Sequence, residues 1–248
     1  MMAPLLDVRG LGHSFGGRAV LDGVDLSVRR GEFVALLGPS GAGKTTLIKC
    51  ITGLTRPERG EVRIAGAEIS TLQGRERRRV AVIFQQFNLV RRLSALDNVL
   101  AGRLGHVPAW RGWLRQFDRA DRRLALACLD RVGLLAQAGQ RADTLSGGQQ
   151  QRVAIARALA QQPELIVADE PVASLDPASS AGILELLLRI CEDDGVAVIC
   201  SLHQLHLAQR YAHRLVGLSA GQIRFDAPAQ GIDTEVTAAL YESSPVSA

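Results

Sequence analysis

The sequence predicts an α/β fold, and two kinds of segment carry that prediction. Continuous apolar runs of strand length occur at Phe33–Leu37, Glu164–Ala168 and Val196–Cys200, as expected for strands buried on both faces of a parallel sheet. Between residues 89 and 160, apolar residues instead recur at helical spacing among charged ones. We therefore expect a single domain, 1–248, with residues 1–88 and 161–248 forming the core and 89–160 forming an inserted α-helical subdomain.

The amino-terminal part has a third pattern. From Leu5 to Ile69 the chain alternates strand-like runs with turns, which we place at Gly16–Gly17 and Arg59–Gly60. This pattern predicts an amino-terminal antiparallel β-layer. At the other end, the polar tail from Ser243 to Ala248 is expected to be frayed.

Composition excludes several classes of protein. With 248 residues, 47% hydrophobic and 22% charged, the chain is long and apolar enough to bury a sizeable core. No apolar run approaches the roughly 18 residues that span a bilayer, and the amino terminus lacks a secretory pattern. The four cysteines show no C-x-x-C spacing, so we expect reduced thiols in a cytosolic chain.

Charge gives little indication of a partner. The chain has 29 basic and 25 acidic residues, a net charge of +4. Arginines cluster at 75–79, at 91–92 and between 111 and 123, where a solvated face is the first interpretation and a partner or lipid-headgroup surface the alternative. Trp110 and Trp113 lie in the third cluster, and we expect both to pack within the helical subdomain.

A glycine-rich loop directly follows the first apolar strand and precedes a helical segment starting at Thr46. Backbone N–H groups of such a loop close around phosphate oxygens at a helix N-terminus. Lys44 would reach the β- and γ-phosphates of ATP, and Thr45 would ligate Mg²⁺. The motif predicts a P-loop NTPase (RecA-like) core whose nucleotide-binding residues are Gly38, Pro39, Ser40, Gly41, Ala42, Gly43, Lys44, Thr45 and Thr46.

Two carboxylates end the second apolar run. In a P-loop protein, Asp169 would hold Mg²⁺ through water, and Glu170 would orient or deprotonate the attacking water. Side chains of consecutive residues point in different directions, which suits two separate roles. The alternative is an ordinary acidic turn at the end of a strand.

A second anion-binding pattern opens the helix after Leu145. Ser146 is suited to cap that helix, and Gly147 and Gly148 let an anion approach its backbone, with Gln149 following. Together with the P-loop, this Leu-Ser-Gly-Gly-Gln segment resembles the nucleotide-binding subunits of ATP-binding-cassette (ABC) transporters, in which it is the signature motif. The resemblance extends from about Leu5 to Asp226.

The resemblance implies roles for four further residues. Phe15 would stack on adenine, although a core phenylalanine is the alternative, and Gln85 would touch Mg²⁺ or water and sense the membrane partner. Asp176 would cross a dimer interface, and His203 would bind the γ-phosphate. His206 and His213 have no cysteine or acid at ligand spacing, so they do not indicate zinc.

The resemblance also implies a function. It describes a Mg²⁺-dependent ATPase that forms a homodimer with Ser146 acting in trans, peripheral to the cytoplasmic face of the inner membrane. Its partners would be integral membrane permease subunits and, indirectly, a periplasmic substrate-binding protein, with no nucleic acid expected. Segments 84–105 and 168–177 are similar to the ATPases of phosphonate importers, which suggests phosphonate or a related phosphorus oxyanion as cargo. The alternatives are an exporter ATPase and a soluble nucleotide-dependent switch acting on nucleic acid.

Overall fold

The computed structural model describes residues 3–74, 76–231 and 240. The strands are β1 (Leu6–Phe15), β2 (Arg18–Val28), β3 (Phe33–Leu37), β4 (Arg59–Ile64), β5 (Ala67–Glu68), β6 (Val80–Ile83), β7 (Leu165–Ala168), β8 (Ala197–Ser201), β9 (Arg214–Ser219) and β10 (Gln222–Pro228). The α-helices are α1 (Lys44–Ile51), α2 (Ala95–Leu100), α3 (Ala109–Trp113), α4 (Arg119–Arg131), α5 (Gly147–Ala160), α6 (Pro177–Asp194) and α7 (Leu205–Tyr211). Short 3₁₀ turns lie at Glu76–Arg79, Ala101–His106, Leu135–Gln137 and Ala142–Thr144.

A six-stranded sheet forms the centre of the core. Its order is β10-β9-β3-β8-β7-β6, with neighbours parallel from β9 to β6 and β10 antiparallel at the edge. Every residue of β3, β7 and β8 is buried, which confirms the predicted α/β class. The second and third predicted runs each begin one residue early, and Glu164 pairs instead with Arg79 at 3.1 Å.

The predicted antiparallel layer is the second sheet, of order β2-β1-β4-β5. Its first turn lies at Gly16–Gly17 as expected. The turn expected at Arg59–Gly60 is wrong, because these residues begin β4. Gly60 has φ 78°, and a Cβ there would lie 2.3 Å from the carbonyl oxygen of Arg9, so close approach to β1 requires this glycine.

Helices α2 to α5 lie between β6 and β7 in sequence. Their buried faces share one apolar cluster with the parallel sheet and α6, in which Val99 and Leu129 join Ile166 of β7 and Ile183 of α6. A second cluster fills the space between the two sheets. No helix among the described residues is long and apolar enough to cross a bilayer.

The two tryptophans contradict the prediction that they pack inside the helical subdomain. Trp110 is 57% and Trp113 is 86% exposed. Both belong to α3, a five-residue helix that buries none of its residues. The half-buried residue of α3 is instead Gly112, which lies against Leu104.

The four cysteines are free and buried. Burial raises the pKa of the Cys50 and Cys128 thiols to about 11, so they stay protonated at neutral pH. The tail from Ser243 to Ala248 and Arg75 lie outside the described residues.

Candidate active site

The glycine loop, Gln85, the two carboxylates and His203 follow strands that end at one edge of the parallel sheet. Residue Ile83 of β6 pairs with Ala168 of β7, and Ala168 pairs with Cys200 of β8. On the other side of β8, Ser201 pairs with Leu36 of β3. The segments that follow these strands therefore emerge together, at the edge where open α/β sheets place their ligand sites.

The glycine loop packs against neighbouring backbone too closely to carry side chains at two positions. A Cβ at Gly38 would lie 2.1 Å from the Leu218 carbonyl oxygen, and one at Gly43 would lie 2.7 Å from that of Val20. Gly43 also has φ 105°, a conformation that favours glycine. The loop encloses a cavity of about 180 Å³ lined by Val20, residues 40–46 and Glu170.

Lys44 supplies a cation to this cavity. Its Nζ donates to the carbonyl oxygens of Gly38 at 2.7 Å and Pro39 at 3.1 Å, and the residue is only 5% exposed. Burial lowers the pKa of Lys44, while the negative charges of Glu170 and Asp169 oppose that shift. An anion bound in the cavity would stabilise this buried charge.

The hydroxyl group of Ser201, which no sequence motif indicates, connects Asp169 and Glu170. Ser201 Oγ donates to Asp169 Oδ1 at 2.8 Å and accepts from the Glu170 N–H at 2.8 Å, and Ser201 is fully buried. Glu170 has φ 48°, and left-handed backbone costs a residue with a Cβ about 1–2 kcal/mol. By accepting from the Glu170 N–H, Ser201 therefore stabilises the strained backbone at Glu170.

The structure brings Glu170 and His203 together. Nε2 of His203 lies 2.5 Å from Oε1 of Glu170, with side-chain exposures of 44% and 21%. The sequence predicts separate roles for the two residues. Here they form a hydrogen-bonded pair whose carboxylate borders the glycine-loop cavity.

Gln85 is exposed and lies elsewhere. With Gln86, it lines a groove of about 390 Å³ that also includes Gln150 of α5 and Ser174. It does not line the glycine-loop cavity. The contact of Gln85 with a metal ion therefore stays a prediction.

Arg157 of α5 anchors this loop. Its guanidinium donates to the carbonyl oxygens of Asn88 at 2.5 Å and Phe87 at 3.0 Å, and burial lowers its pKa. Arg157 and Ser146 belong to the same helix, since Ser146 is the N-cap of α5, so these two hydrogen bonds join the loop after Gln85 to that helix. Arg157 could not be predicted from the sequence, since an arginine on a helix carries no distinctive local signal.

The Ser146 segment begins α5 with both halves of a capping box. Ser146 Oγ accepts from the Gln149 N–H at 3.3 Å, and Gln149 Oε1 accepts from the Ser146 N–H at 2.9 Å. Ser146 and Gly147 are exposed, and none of residues 146–149 lines the glycine-loop cavity. A Cβ at Gly148 would lie 3.2 Å from Ser179 Oγ, so this segment abuts the start of α6.

Two further predicted residues lie on the surface. Asp176 caps α6 by accepting from the Ser179 N–H at 2.9 Å, and hydrogen bonds from the Ser179 hydroxyl and backbone lower its pKa. Phe15 is 56% exposed and meets the His13 ring edge-on, with centroids 4.7 Å apart. The alternative that Phe15 is a core residue is therefore wrong.

No cluster of three His, Cys, Asp or Glu side chains within the described part of the chain could hold a metal ion. Thr45 and Thr46 line the glycine-loop cavity. Their hydroxyls, with the nearby Asp169 carboxylate, are hard oxygen ligands of the kind that Mg²⁺ uses together with substrate phosphates. This donor set fits a Mg²⁺–nucleotide complex and does not fit zinc.

The chain is similar in sequence to known proteins. The family model for ABC transporters matches residues 21–173. The chain is 47% identical over 242 residues to the phosphonates import ATP-binding protein PhnC 1 of Rhodopseudomonas palustris, covering 96% of this chain and 90% of the relative. It is 48% identical over 242 residues to the hypophosphite import ATP-binding protein HtxD of Stutzerimonas stutzeri, covering 96% of this chain and 71% of the relative.

Solved structures are similar as well. The dimeric post-hydrolysis state of the ATP-binding cassette MJ0796 bound to ADP and Pi has a TM-score of 0.77 at 34% identity, covering 92% of this chain and 100% of that one. The ADP conformation of the cassette MJ1267 has a TM-score of 0.85 at 26% identity, covering 98% of this chain and 100% of that one.

Proposed function

The chain belongs to the ABC transporter family and is an ATP-hydrolysing subunit, and from this premise we propose that it powers the import of phosphonates or a related phosphorus oxyanion. The observation that carries the ATPase function is the glycine-loop cavity, which both Lys44 and Glu170 line. The cargo is inferred from the names of the relatives that match 96% of the chain. Since those relatives are importer subunits, import is favoured over the exporter and nucleic-acid alternatives.

The proposed reaction starts with ATP in the glycine-loop cavity. Lys44 Nζ would exchange its bonds to Gly38 and Pro39 for oxygens of the β- and γ-phosphates, and Phe15 would stack on the adenine. Water attacks the γ-phosphorus as the bond to the bridging oxygen breaks, and Glu170 accepts the proton of that water. Before ATP binds, the hydrogen bond from His203 orients the Glu170 carboxylate. Once ATP is bound, His203 would bind the γ-phosphate instead.

Mg²⁺ is the metal that this donor set fits, and it would neutralise charge on the phosphates. Thr45 would ligate it directly and Asp169 through water, with Gln85 as a further contact. The hydrogen bond that Ser201 Oγ donates to Asp169 Oδ1 would hold this carboxylate in position.

The catalytic unit that we propose is a head-to-tail homodimer. Exposed Ser146 lies outside its own chain's cavity, and the similar cassette MJ0796 is dimeric with ADP and Pi bound. Each ATP would contact Lys44 of one chain and residues 146–149 of the other, with Asp176 at the interface. In this arrangement, residues 89–160 form the helical subdomain against a core of 1–88 and 161–248.

Transport requires further partners. The dimer would bind integral membrane permease subunits at the groove beside Gln85, on the cytoplasmic face of the inner membrane. A periplasmic substrate-binding protein would act indirectly through those subunits.

Growth on a phosphonate as sole phosphorus source tests this proposal. A strain lacking the protein should regain growth with the wild type and with Lys49→Ala, which removes the exposed lysine of the same helix. It should not regain growth with Lys44→Ala, whereas growth on inorganic phosphate should be the same for all strains. If the deletion strain grows on phosphonate and on hypophosphite without the protein, the proposed cargo is wrong.

A further inference from the structure

Helix α3 presents an apolar face away from the protein. Trp110, Trp113 and Leu114 lie at positions i, i+3 and i+4, which share one side of a helical turn, and all three are exposed, at 57%, 86% and 52%. Gly112 occupies the opposite side, where a Cβ would lie 2.8 Å from Leu104 Cδ2. The helix therefore rests on Leu104 through its glycine and turns its tryptophans outward. We call Trp110, Trp113, Leu114 and the adjacent Arg111 and Arg115 the tryptophan surface.

The segments on both sides of the tryptophan surface are held to the rest of the protein by hydrogen bonds and packing. Before it, Arg103 pairs with Asp121 at 2.8 Å, both side chains being largely buried, and also donates to the Ala160 carbonyl oxygen at 3.0 Å. After it, the Gln116 N–H donates to the Arg111 carbonyl oxygen at 2.8 Å, and Phe117 packs against the core. Since both ends are fixed, the outward direction of the tryptophans is set by the fold.

Charge around this surface has one dominant sign. No aspartate or glutamate occurs from residue 98 to 117. Of the next two acids, Asp121 is paired with Arg103, and Asp118 caps α4 by accepting from the Asp121 N–H. The exposed arginines nearby in sequence are Arg111, Arg115, Arg119, Arg122 and Arg123. The guanidinium carbon of Arg111 lies 5.3 Å from the centroid of the Trp110 ring.

We propose that the tryptophan surface docks on the anionic headgroup layer of a lipid bilayer. Tryptophan favours the membrane–water interface because its ring is apolar and its N–H is polar, and arginines beside it are attracted to anionic lipids. A second copy of this surface is a poor partner because its charge has the same sign. The docking is independent of the proposed cargo and permease, so vesicles without any permease test it separately.

Intrinsic fluorescence gives a direct readout, because the chain contains only two tryptophans and both belong to this surface. The purified full chain would be titrated with vesicles of phosphatidylcholine containing one quarter phosphatidylglycerol. We expect the emission to shift to shorter wavelength and brominated lipids to quench it. Vesicles of phosphatidylcholine alone should give a much smaller change, and salt should weaken the binding.

Variants measured by co-sedimentation with the same vesicles assign the binding to this surface. Trp110→Ser with Trp113→Ser should bind at least about tenfold more weakly, as should Arg111→Gln with Arg115→Gln. The matched control is Arg56→Gln with Arg224→Gln, an equal change of charge at exposed positions on other elements. All variants should keep the basal ATPase rate of the wild type.

Three results would overturn the proposal. Equal binding by the tryptophan variant and the wild type would assign the lipid contact elsewhere. An emission shift seen only with permease-containing nanodiscs, and not with anionic vesicles, would identify a protein partner. Loss of concentration-dependent self-association in the tryptophan variant, without vesicle binding by the wild type, would identify a second copy of the chain.

Discussion

The two helices that begin at anion-binding motifs are built differently. Helix α1 begins after Gly43, which has a left-handed backbone and no side-chain cap, and its first residue is the buried Lys44. Helix α5 begins after Ser146 with a complete capping box on the protein surface. The first helix leaves its N-terminal N–H groups for a ligand, whereas the second satisfies two of them itself.

This difference indicates an order of events. A phosphate can enter the glycine loop without breaking a side-chain cap, since only the bonds of Lys44 to backbone carbonyls must be exchanged. At α5, a phosphate must compete with the hydrogen bond between Ser146 Oγ and the Gln149 N–H. We therefore expect ATP to bind a single chain first and to meet the Ser146 segment of a second chain afterwards.

The largest expected effect is a loss of ATP turnover in Glu170→Gln, with ATP binding unchanged. Glu170→Gln keeps the shape of the side chain but cannot accept a proton, so turnover should fall by about 10²- to 10⁴-fold. Equilibrium titration should show ATP affinity similar to that of the wild type, and ATP should trap a stable dimer in size-exclusion chromatography. Glu185→Gln, on the exposed side of α6, is the matched control. More than half of wild-type turnover in Glu170→Gln would exclude Glu170 as the base.

Lys44→Ala tests α1, the helix whose N-terminal N–H groups have no side-chain cap. Because the lysine contacts phosphates before any chemistry, ATP affinity of the single chain should fall about tenfold or more along with turnover. Lys49→Ala should change neither quantity. Unchanged affinity in Lys44→Ala, measured by isothermal titration, would contradict the role assigned to this cation.

Ser146 variants test the helix that caps itself. Ser146→Ala should lower the free energy of unfolding by about 1 kcal/mol through loss of the cap. It should lower turnover while leaving ATP binding to the single chain unchanged, which is the opposite of Lys44→Ala. Denaturant unfolding and nucleotide titration of the same sample would separate the two effects.

A mixture of chains makes the comparison sharper. In a heterodimer of Lys44→Ala with Ser146→Arg, one composite site keeps both an intact Lys44 and an intact Ser146, and the other site has lost both. ATPase activity of the mixture should exceed that of either variant alone. If it does not, and Glu170→Gln with ATP also remains monomeric, the head-to-tail dimer is wrong.

The sequence predicted those parts of the site that depend on local pattern. The buried runs gave the parallel sheet, and the glycine loop, Asp169 and the Ser146 segment could each be identified from neighbouring residues. Exposure of Trp110 could not be predicted, because an apolar residue in a short helix faces inward only if tertiary contacts hold it there. Ser201 was missed since its role depends on the pairing of β8 with both neighbours.

The smallest of the catalytic effects is expected at Ser201. Ser201→Ala removes the donor to Asp169 and leaves the partly buried N–H of Glu170 without its acceptor, which should cost about 1–3 kcal/mol in the free energy of unfolding. Turnover should fall less than in Glu170→Gln, because both carboxylates remain, and the Mg²⁺ concentration for half-maximal rate should rise. Ser201→Thr retains the hydroxyl and should recover most of the Mg²⁺ dependence. A purely structural role would lower the unfolding free energy without moving that concentration, and measuring both in Ser201→Ala and Ser201→Thr distinguishes positioning of the carboxylates from packing of the strand.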